Sequence, residues 1–234
     1  MKLAVKKIVL SVLQLFNLKL VRINKKEKSL PAPFEENTRE INDQFYSNTE
    51  TLKEYYVGRR LLFYRAVVDQ LKMLSVVLDN KRVLDVGCGV GFLLNELNQE
   101  FNGLQLHGAD FSVAAIKASK ARFPKMTFFE HNLYCTLKES YDIIFCTEVI
   151  EHLEKPFVAL QNLERTVVPG GLIVLTVPNG RLDTLNEHIN FWSPESWKIF
   201  LERELPRCHV QTFTIMSGEF NFALIKTAGH DHNN

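Results

Sequence analysis

Between residues 82 and 177 the chain alternates between two apolar rhythms. Short, nearly continuous apolar runs predict strands over Arg82–Val86, Leu104–Ala109, Met126–Phe129, Tyr141–Cys146 and Leu172–Val177. Between them, apolar positions recurring every three to four residues predict helices over Gly91–Gln99, Ser112–Arg122 and Pro156–Thr166. A further helix is expected over Pro194–Glu204. It is followed by two alternating strands, Val210–Met216 and Phe220–Lys226, split by Ser217-Gly218-Glu219. Strands joined by helical crossovers build a parallel sheet, and only the last pair can insert antiparallel. The expected fold is α/β: a doubly wound, mostly parallel seven-stranded sheet with a C-terminal antiparallel hairpin and helices on both faces. Upstream, residues 41–78 read as helical with a break at Gly58, and carry Phe45, Tyr46, Tyr55, Tyr56 and Phe63.

The first residues follow another pattern. Lys2, Lys6, Lys7, Ser11, Gln14 and Asn17 share one half of a helical wheel, and Val5, Ile8, Val9, Val12, Leu15 and Phe16 the other. This is a basic amphipathic helix, interrupted too often by polar residues to span a bilayer. No small-x-small cleavage site follows it. Charge sharpens the picture. The chain has a formal net charge of +1, yet residues 1–28 hold eight Lys/Arg against one Glu. The arm is therefore expected either to lie on an anionic membrane surface or to pack on its own domain or a dimer partner. The resulting division is an arm and linker at 1–33, a helical cap region at 34–80, the α/β domain at 81–228 and a tail at 229–234. Four cysteines without C-x-x-C spacing give neither a zinc site nor a disulfide framework. The simplest compartment is the cytoplasm, either free or peripheral on the membrane's cytoplasmic face. The near-neutral body offers no clear nucleic-acid surface.

The candidate chemistry begins at Val83-Leu84-Asp85-Val86-Gly87-Cys88-Gly89-Val90-Gly91. In an open α/β sheet, ligands sit beyond the carboxyl ends of the strands. The glycines let the backbone turn and approach a ligand closely. A dinucleotide fingerprint reads G-x-G-x-x-G, but here the third glycine comes a residue early and Phe92 takes its place. Asp85 would repel phosphates and welcome a cation. Asp110 ends the second strand, where a carboxylate can accept both hydroxyls of a ribose. Phe111 follows and can pack on an adenine edge, and Asn132 can bond its amino group.

The motifs VLDVGCGVG, GADFS, EHNL, YDIIFCTEVIEHL and VVPGGLIVLTVPN, in that order over Arg82–Val177, resemble the Rossmann-like S-adenosylmethionine-dependent methyltransferases. The likeness extends to the ubiquinone-pathway O-methyltransferase group. It implies S-adenosylmethionine as cofactor, with Asp85, Gly87, Cys88, Gly89 and Gly91 at the methionine end. Asp110 would hold the ribose, and Phe111, Asn132 and Thr147 complete the set.

After the fourth strand, Glu148, Glu151 and His152 can share one side of a helical turn, with His188 further on. They can simply shape the loop. Alternatively, His152 with Glu148 can remove a proton from a hydroxyl acceptor. A third reading is that Glu148, Glu151, His152 and His188 hold Mg²⁺ or another divalent ion. That last set is similar to the small-RNA 2′-O-methyltransferases, although His188 lacks the neighbouring histidine those enzymes carry. The expected activity is O-methylation of a small-molecule, lipid-like or glycan hydroxyl. An RNA 2′-O-methyltransferase and a non-catalytic cofactor-binding scaffold are the alternatives. Phe191 and Trp192 are candidates to cap the acceptor site, whereas Trp197, at helical spacing with Phe200 and Leu201, reads as core.

Overall fold

The computed structural model describes residues 37–48, 52 and 58–229. The basic arm, the aromatic pair Tyr55 and Tyr56, and residues 230–234 of the tail lie outside the described residues. The chain divides into residues 1–33 and a unit spanning Phe34–Asn234, and only the latter is described below.

The elements are α1 (Arg39–Ser47), α2 (Arg59–Met73), β1 (Arg82–Val86), α3 (Phe92–Glu100), β2 (Gln105–Asp110), α4 (Val113–Arg122), β3 (Thr127–Glu130), β4 (Tyr141–Thr147), α5 (Pro156–Thr166), β5 (Val167–Pro178), α6 (Pro194–Glu204), β6 (His209–Ile215) and β7 (Phe220–Lys226). Short 3-10 turns lie at Ile150–His152 and Met216–Gly218. The seven strands form one sheet in the order β3-β2-β1-β4-β5-β7-β6. The first five are parallel, and β7 pairs antiparallel with both β5 and β6. The expected fold class is the one observed.

β1 and β4 lie at the centre of the sheet and are apolar on both faces because both faces are covered. One core layer joins Phe63, Val67 and Leu71 of α2 to Leu93 and Leu97 of α3 and to Val83 and Phe145 of the sheet. The other joins Leu84 and Ile144 to Leu160 and Leu163 of α5 and Trp197 and Leu201 of α6. Trp197 is fully buried, as its spacing predicts. Helix starts follow their caps. Ser112 accepts from the Ala115 amide and Ser193 from the Ser196 amide, while Pro156 and Pro194 occupy first helical positions.

Two boundaries differ by five residues from the sequence reading. α2 stops at Met73, not near residue 78. The Val76 amide bonds the Leu71 carbonyl and the Ser75 amide that of Lys72, with Ser75 at φ 55°. This pair of bonds is a Schellman stop with serine where glycine is usual. β5 starts at Val167 rather than Leu172, because Pro169-Gly170-Gly171 passes the start of β4 at a register shift between Tyr141 and Ile143 instead of turning away. A side chain at Gly171 would come within 2.7 Å of the Asp142 carbonyl oxygen, so only glycine admits this path.

Candidate functional site

The carboxyl ends of β1, β2, β4 and β5 gather the candidate residues along one edge of the sheet. β1 ends in Asp85 and Val86, and the chain then turns through Gly87, Gly89 and Gly91 at φ values of 76°, 51° and 83°. The Gly87 and Cys88 amides bond the Ala109 carbonyl of β2, folding the loop back over the sheet edge. A Cβ at Gly87 would sit 2.2 Å from Val149 Cγ2, so the loop packs directly on the turn after β4. The Cys88 thiol is buried and pushed well above its ordinary range, which makes it a packing residue and not a nucleophile.

Asp85 is 2 % exposed, and among the described residues its Oδ1 has no hydrogen-bond partner. Burial, reinforced by the charge of Asp110, pushes its carboxyl up to about 8. The chemistry of a buried carboxylate oxygen without a partner fits a cation with protons to give. Asp110 is equally buried but anchored. It accepts from the Gly89 and Ser112 amides, each at 2.9 Å, and these bonds oppose the upward push of burial. A carboxylate offers about four acceptor positions, so two bonds leave capacity for ribose hydroxyls. Phe111 is half-buried beside it. Asn132 follows β3 on the surface, with its amide oxygen accepting from the Tyr134 amide. Thr147 is buried at the end of β4.

α1 brackets this edge from above. Its Asp43 accepts from Ser112 Oγ and from the Ala114 amide at 3.1 Å, capping α4, and its Arg39 pairs with Glu130 at the end of β3. Just before α1, Asn37 donates to the Glu187 carbonyl at 2.9 Å, on the loop after β5.

The turn after β4 brings the second group together. Glu148 has a left-handed backbone, φ 55°, unusual for a residue with a side chain and a form of strain concentrated at functional sites. Its Oε1 accepts from Thr176 Oγ1 at 3.0 Å. Burial pushes its carboxyl up to about 7 despite the nearby Arg60 guanidinium, a value matched to proton removal near neutral pH. Glu151 is fully buried, and neither carboxylate oxygen has a partner among the described residues. Burial and the charge of Glu148 hold it well above the usual carboxylate range. His152 places Nδ1 3.1 Å from the Glu187 carbonyl, so the hydrogen sits on Nδ1 and Nε2 carries the lone pair, 3.9 Å from Glu151 Oε1. Burial first, then His188, pulls its pKa down to about 4. The His152 and His188 rings meet edge to face at 4.6 Å.

Three of the four expected ligands therefore converge: Glu151, His152 and His188 offer atoms within 4.8 Å of one another. Glu148 stands outside that group, turned toward Thr176. Two imidazoles and a buried carboxylate with both oxygens unpartnered fit a borderline divalent ion.

Residues absent from the sequence reading complete the site. Asp183 bonds His188 Nδ1 at 2.6 Å. Asn190 donates to the Leu153 carbonyl at 2.7 Å, and the Ile189 and Asn190 amides both bond the Glu151 carbonyl, clamping the turn. Arg60 lies over the Phe63 and Tyr64 rings at 5.6 and 6.0 Å and lowers the carboxyls of Glu148 and Glu151. Phe191 is half exposed, while Trp192 stacks on Phe200 at 4.9 Å.

With this geometry in hand, the chain matches a family model described as a methyltransferase domain over residues 59–214. Among curated proteins it is 26% identical over 160 residues to the ubiquinone biosynthesis O-methyltransferase of Vibrio cholerae, covering 65% of this chain and 54% of that protein. It is 28% identical over 173 residues to the protein of that name in Aliivibrio fischeri, covering 68% and 62%. The chain thus spans little more than half the length of these relatives. Among solved structures it overlays magnesium protoporphyrin IX methyltransferase from Synechocystis PCC 6803, bound to SAH, with a TM-score of 0.63. The identity is 17%, over 82% of this chain and 100% of that one, a likeness of fold.

Proposed function

The chain belongs to the methyltransferase-domain family, among the class I S-adenosylmethionine-dependent methyltransferases, and from that premise we propose that it methylates a hydroxyl group with a divalent cation beside it. The acceptor class is a small molecule, a lipid-like quinol precursor or a glycan. The observation that carries this reading is the convergence of Glu151, His152 and His188 next to the glycine loop, with both Glu151 oxygens unpartnered. The relatives' names, ubiquinone biosynthesis O-methyltransferase, support the hydroxyl and the lipid-like acceptor.

In this reading Asp85 accepts from the ammonium of the methionine end, Asp110 from the ribose hydroxyls, and Asn132 and Phe111 face the adenine. The cofactor supplies an electrophilic methyl carbon on a positively charged sulfur. The chain's own task is alignment and proton removal, and alignment supplies much of the acceleration in such transfers. Glu148 takes the hydroxyl proton, since its carboxyl lies near 7 and Thr176 holds its other oxygen in place. A divalent ion held by Glu151, His152 and His188 would lower the hydroxyl's own pKa.

Among the described residues no helix is long and apolar enough to cross a membrane. The basic arm at residues 1–28, outside the described residues, is the proposed contact with an anionic membrane surface. Deleting it should release the protein from anionic vesicles, and equal co-sedimentation of both forms would remove that part of the reading.

The test of the whole is turnover of S-adenosylmethionine against catechols, polyprenyl phenols, glycans and RNA, read by mass spectrometry as a product heavier by CH₂. Chelation should abolish the activity, and Mg²⁺ or Mn²⁺ should restore it. Chelator-insensitive methylation would remove the ion and leave Glu148 as the base. No product on any acceptor, with SAH bound, would favour a cofactor-binding scaffold.

A further inference from the structure

The loop between β5 and α6 is folded around one imidazole. Asp183 and His188 side chains are 3% and 6% exposed, and their Oδ2 and Nδ1 atoms lie 2.6 Å apart. The other Asp183 oxygen accepts from the Leu185 amide at 3.1 Å, and the His188 amide in turn bonds the Leu185 carbonyl. The Asp183 amide bonds the Asn179 carbonyl, which ties the loop to the end of β5. Both carboxylate oxygens are thus committed, and Nδ1 of His188 is the donor to one of them. The nitrogen His188 has left for the cluster with Glu151 and His152 is Nε2.

We propose that Asp183 is a positioning residue: its carboxylate fixes His188 in the Nδ1–H tautomer and turns the Nε2 lone pair toward Glu151 and His152. His152 is oriented the same way by a different acceptor, the Glu187 carbonyl on the same loop. One loop therefore sets both imidazoles with Nδ1–H outward and Nε2 inward, and such acceptors behind the ring are what orient metal-binding histidines. Only the metal consequence rests on the divalent-cation reading above; the tautomer follows from the Asp183–His188 pair by itself.

Asp183→Asn tests this sharply. The amide oxygen can still accept from the Leu185 amide. Its NH₂ then points at His188 Nδ1, which must become an acceptor and move its proton to Nε2. Asp183→Ala, as a second variant, removes both bonds. The full-length chain, free of metal and labelled with ¹⁵N-histidine, is read by long-range ¹H–¹⁵N correlation, with His188 assigned from a His188→Asn variant. SAH affinity by calorimetry reports that each variant is folded. The expected result is Nδ1–H in the parent, inversion in Asp183→Asn and a mixture in Asp183→Ala. Mn²⁺ affinity should fall about 10- to 100-fold in both variants. An unchanged tautomer in both variants, or Mn²⁺ binding as tight as the parent's, overturns the proposal. A parent that binds no Mn²⁺ while the tautomer inverts on substitution sustains Asp183 as positioning residue and overturns the divalent-cation reading instead.

Discussion

Asp85 offers the sharpest test of whether this cleft trades stability for ligand binding. Its carboxyl rises from an ordinary 3.8 to about 8 on folding, chiefly through burial. In the unfolded chain the group is ionised above pH 4, whereas in the folded chain it keeps its proton until about pH 8. The folded state therefore binds the extra proton, and stability falls as pH rises through that window. Each unit is worth about 1.36 kcal/mol, so by pH 7 the accumulated penalty is about 4 kcal/mol. Asp85→Asn replaces the group with a neutral amide of the same shape and escapes the penalty. The variant and the parent should be nearly equal in stability at pH 4, and the variant should be ahead by about 4 kcal/mol at pH 7. Urea unfolding at half-unit pH steps, with both proteins compared at each step, cancels every other titrating group.

The same substitution should ruin the cofactor site. An ammonium group needs the ionised carboxylate, so binding to the parent must expel the Asp85 proton below pH 8. Affinity for SAH should then climb about tenfold per pH unit between 6 and 8, with one proton released, measurable by calorimetry in two buffers. Asp85→Asn should bind weakly and without that slope. If the stability curves of the two proteins run parallel across the range, Asp85 is not an unpartnered buried acid, and both the burial argument and the ammonium assignment fall.

Gly87→Ala places a methyl group 2.2 Å from Val149 Cγ2 at φ 76°, and Val149→Ala should recover about 1–3 kcal/mol of the loss in a double-mutant cycle; strictly additive effects would show that the two loops do not touch. His152→Ala, which removes one of the three proposed ligands of the divalent ion, should lower turnover by ~10-fold or more while leaving SAH affinity within a factor of two, and a parallel loss of both would reduce His152 to a packing residue. Ser75→Gly should raise stability by about 1 kcal/mol, since the left-handed backbone at φ 55° penalises a side chain; a loss of stability would mean that the serine hydroxyl matters more than the Schellman backbone.

Much of this was legible in the sequence because it is contiguous there. Asp85 and its glycines lie in one short run, and Glu148, Glu151 and His152 in another, so spacing alone put them at strand ends. The sequence reading failed where position depends on how the chain returns. Asp183 precedes His188 by five residues in a stretch without periodicity, and only the bonds from Asn179, Leu185 and Asn190 curl that stretch around an imidazole. Arg60 sits in a helix that reads as ordinary cover for the sheet, and its field at Glu148 exists only once α2 is packed. Ser75 ended α2 without the glycine that signals such a stop. Pro169-Gly170-Gly171 carried that signal and yet continued a strand, because Asp142 leaves no room for a side chain there.

One physical theme joins the two halves of the cleft. Asp85, Glu148 and Glu151 are all buried, and burial is the first cause of the upward shift in each. A chain with no use for these acids would gain stability from neutral residues at every one of the three positions. Their unpartnered oxygens fall in two places: one on Asp85 behind the glycine loop, and two on Glu151 beside the imidazoles. In the proposed reading an ammonium would satisfy the first and a divalent ion the second. The positively charged sulfur that carries the methyl group belongs between them. The unpartnered carboxylate oxygens of Asp85 and Glu151 thus support the proposed placement of positive charge independently of any motif. That placement also implies an order in their effects: removing Asp85 should weaken cofactor binding, whereas removing Glu151 should spare that affinity and abolish transfer.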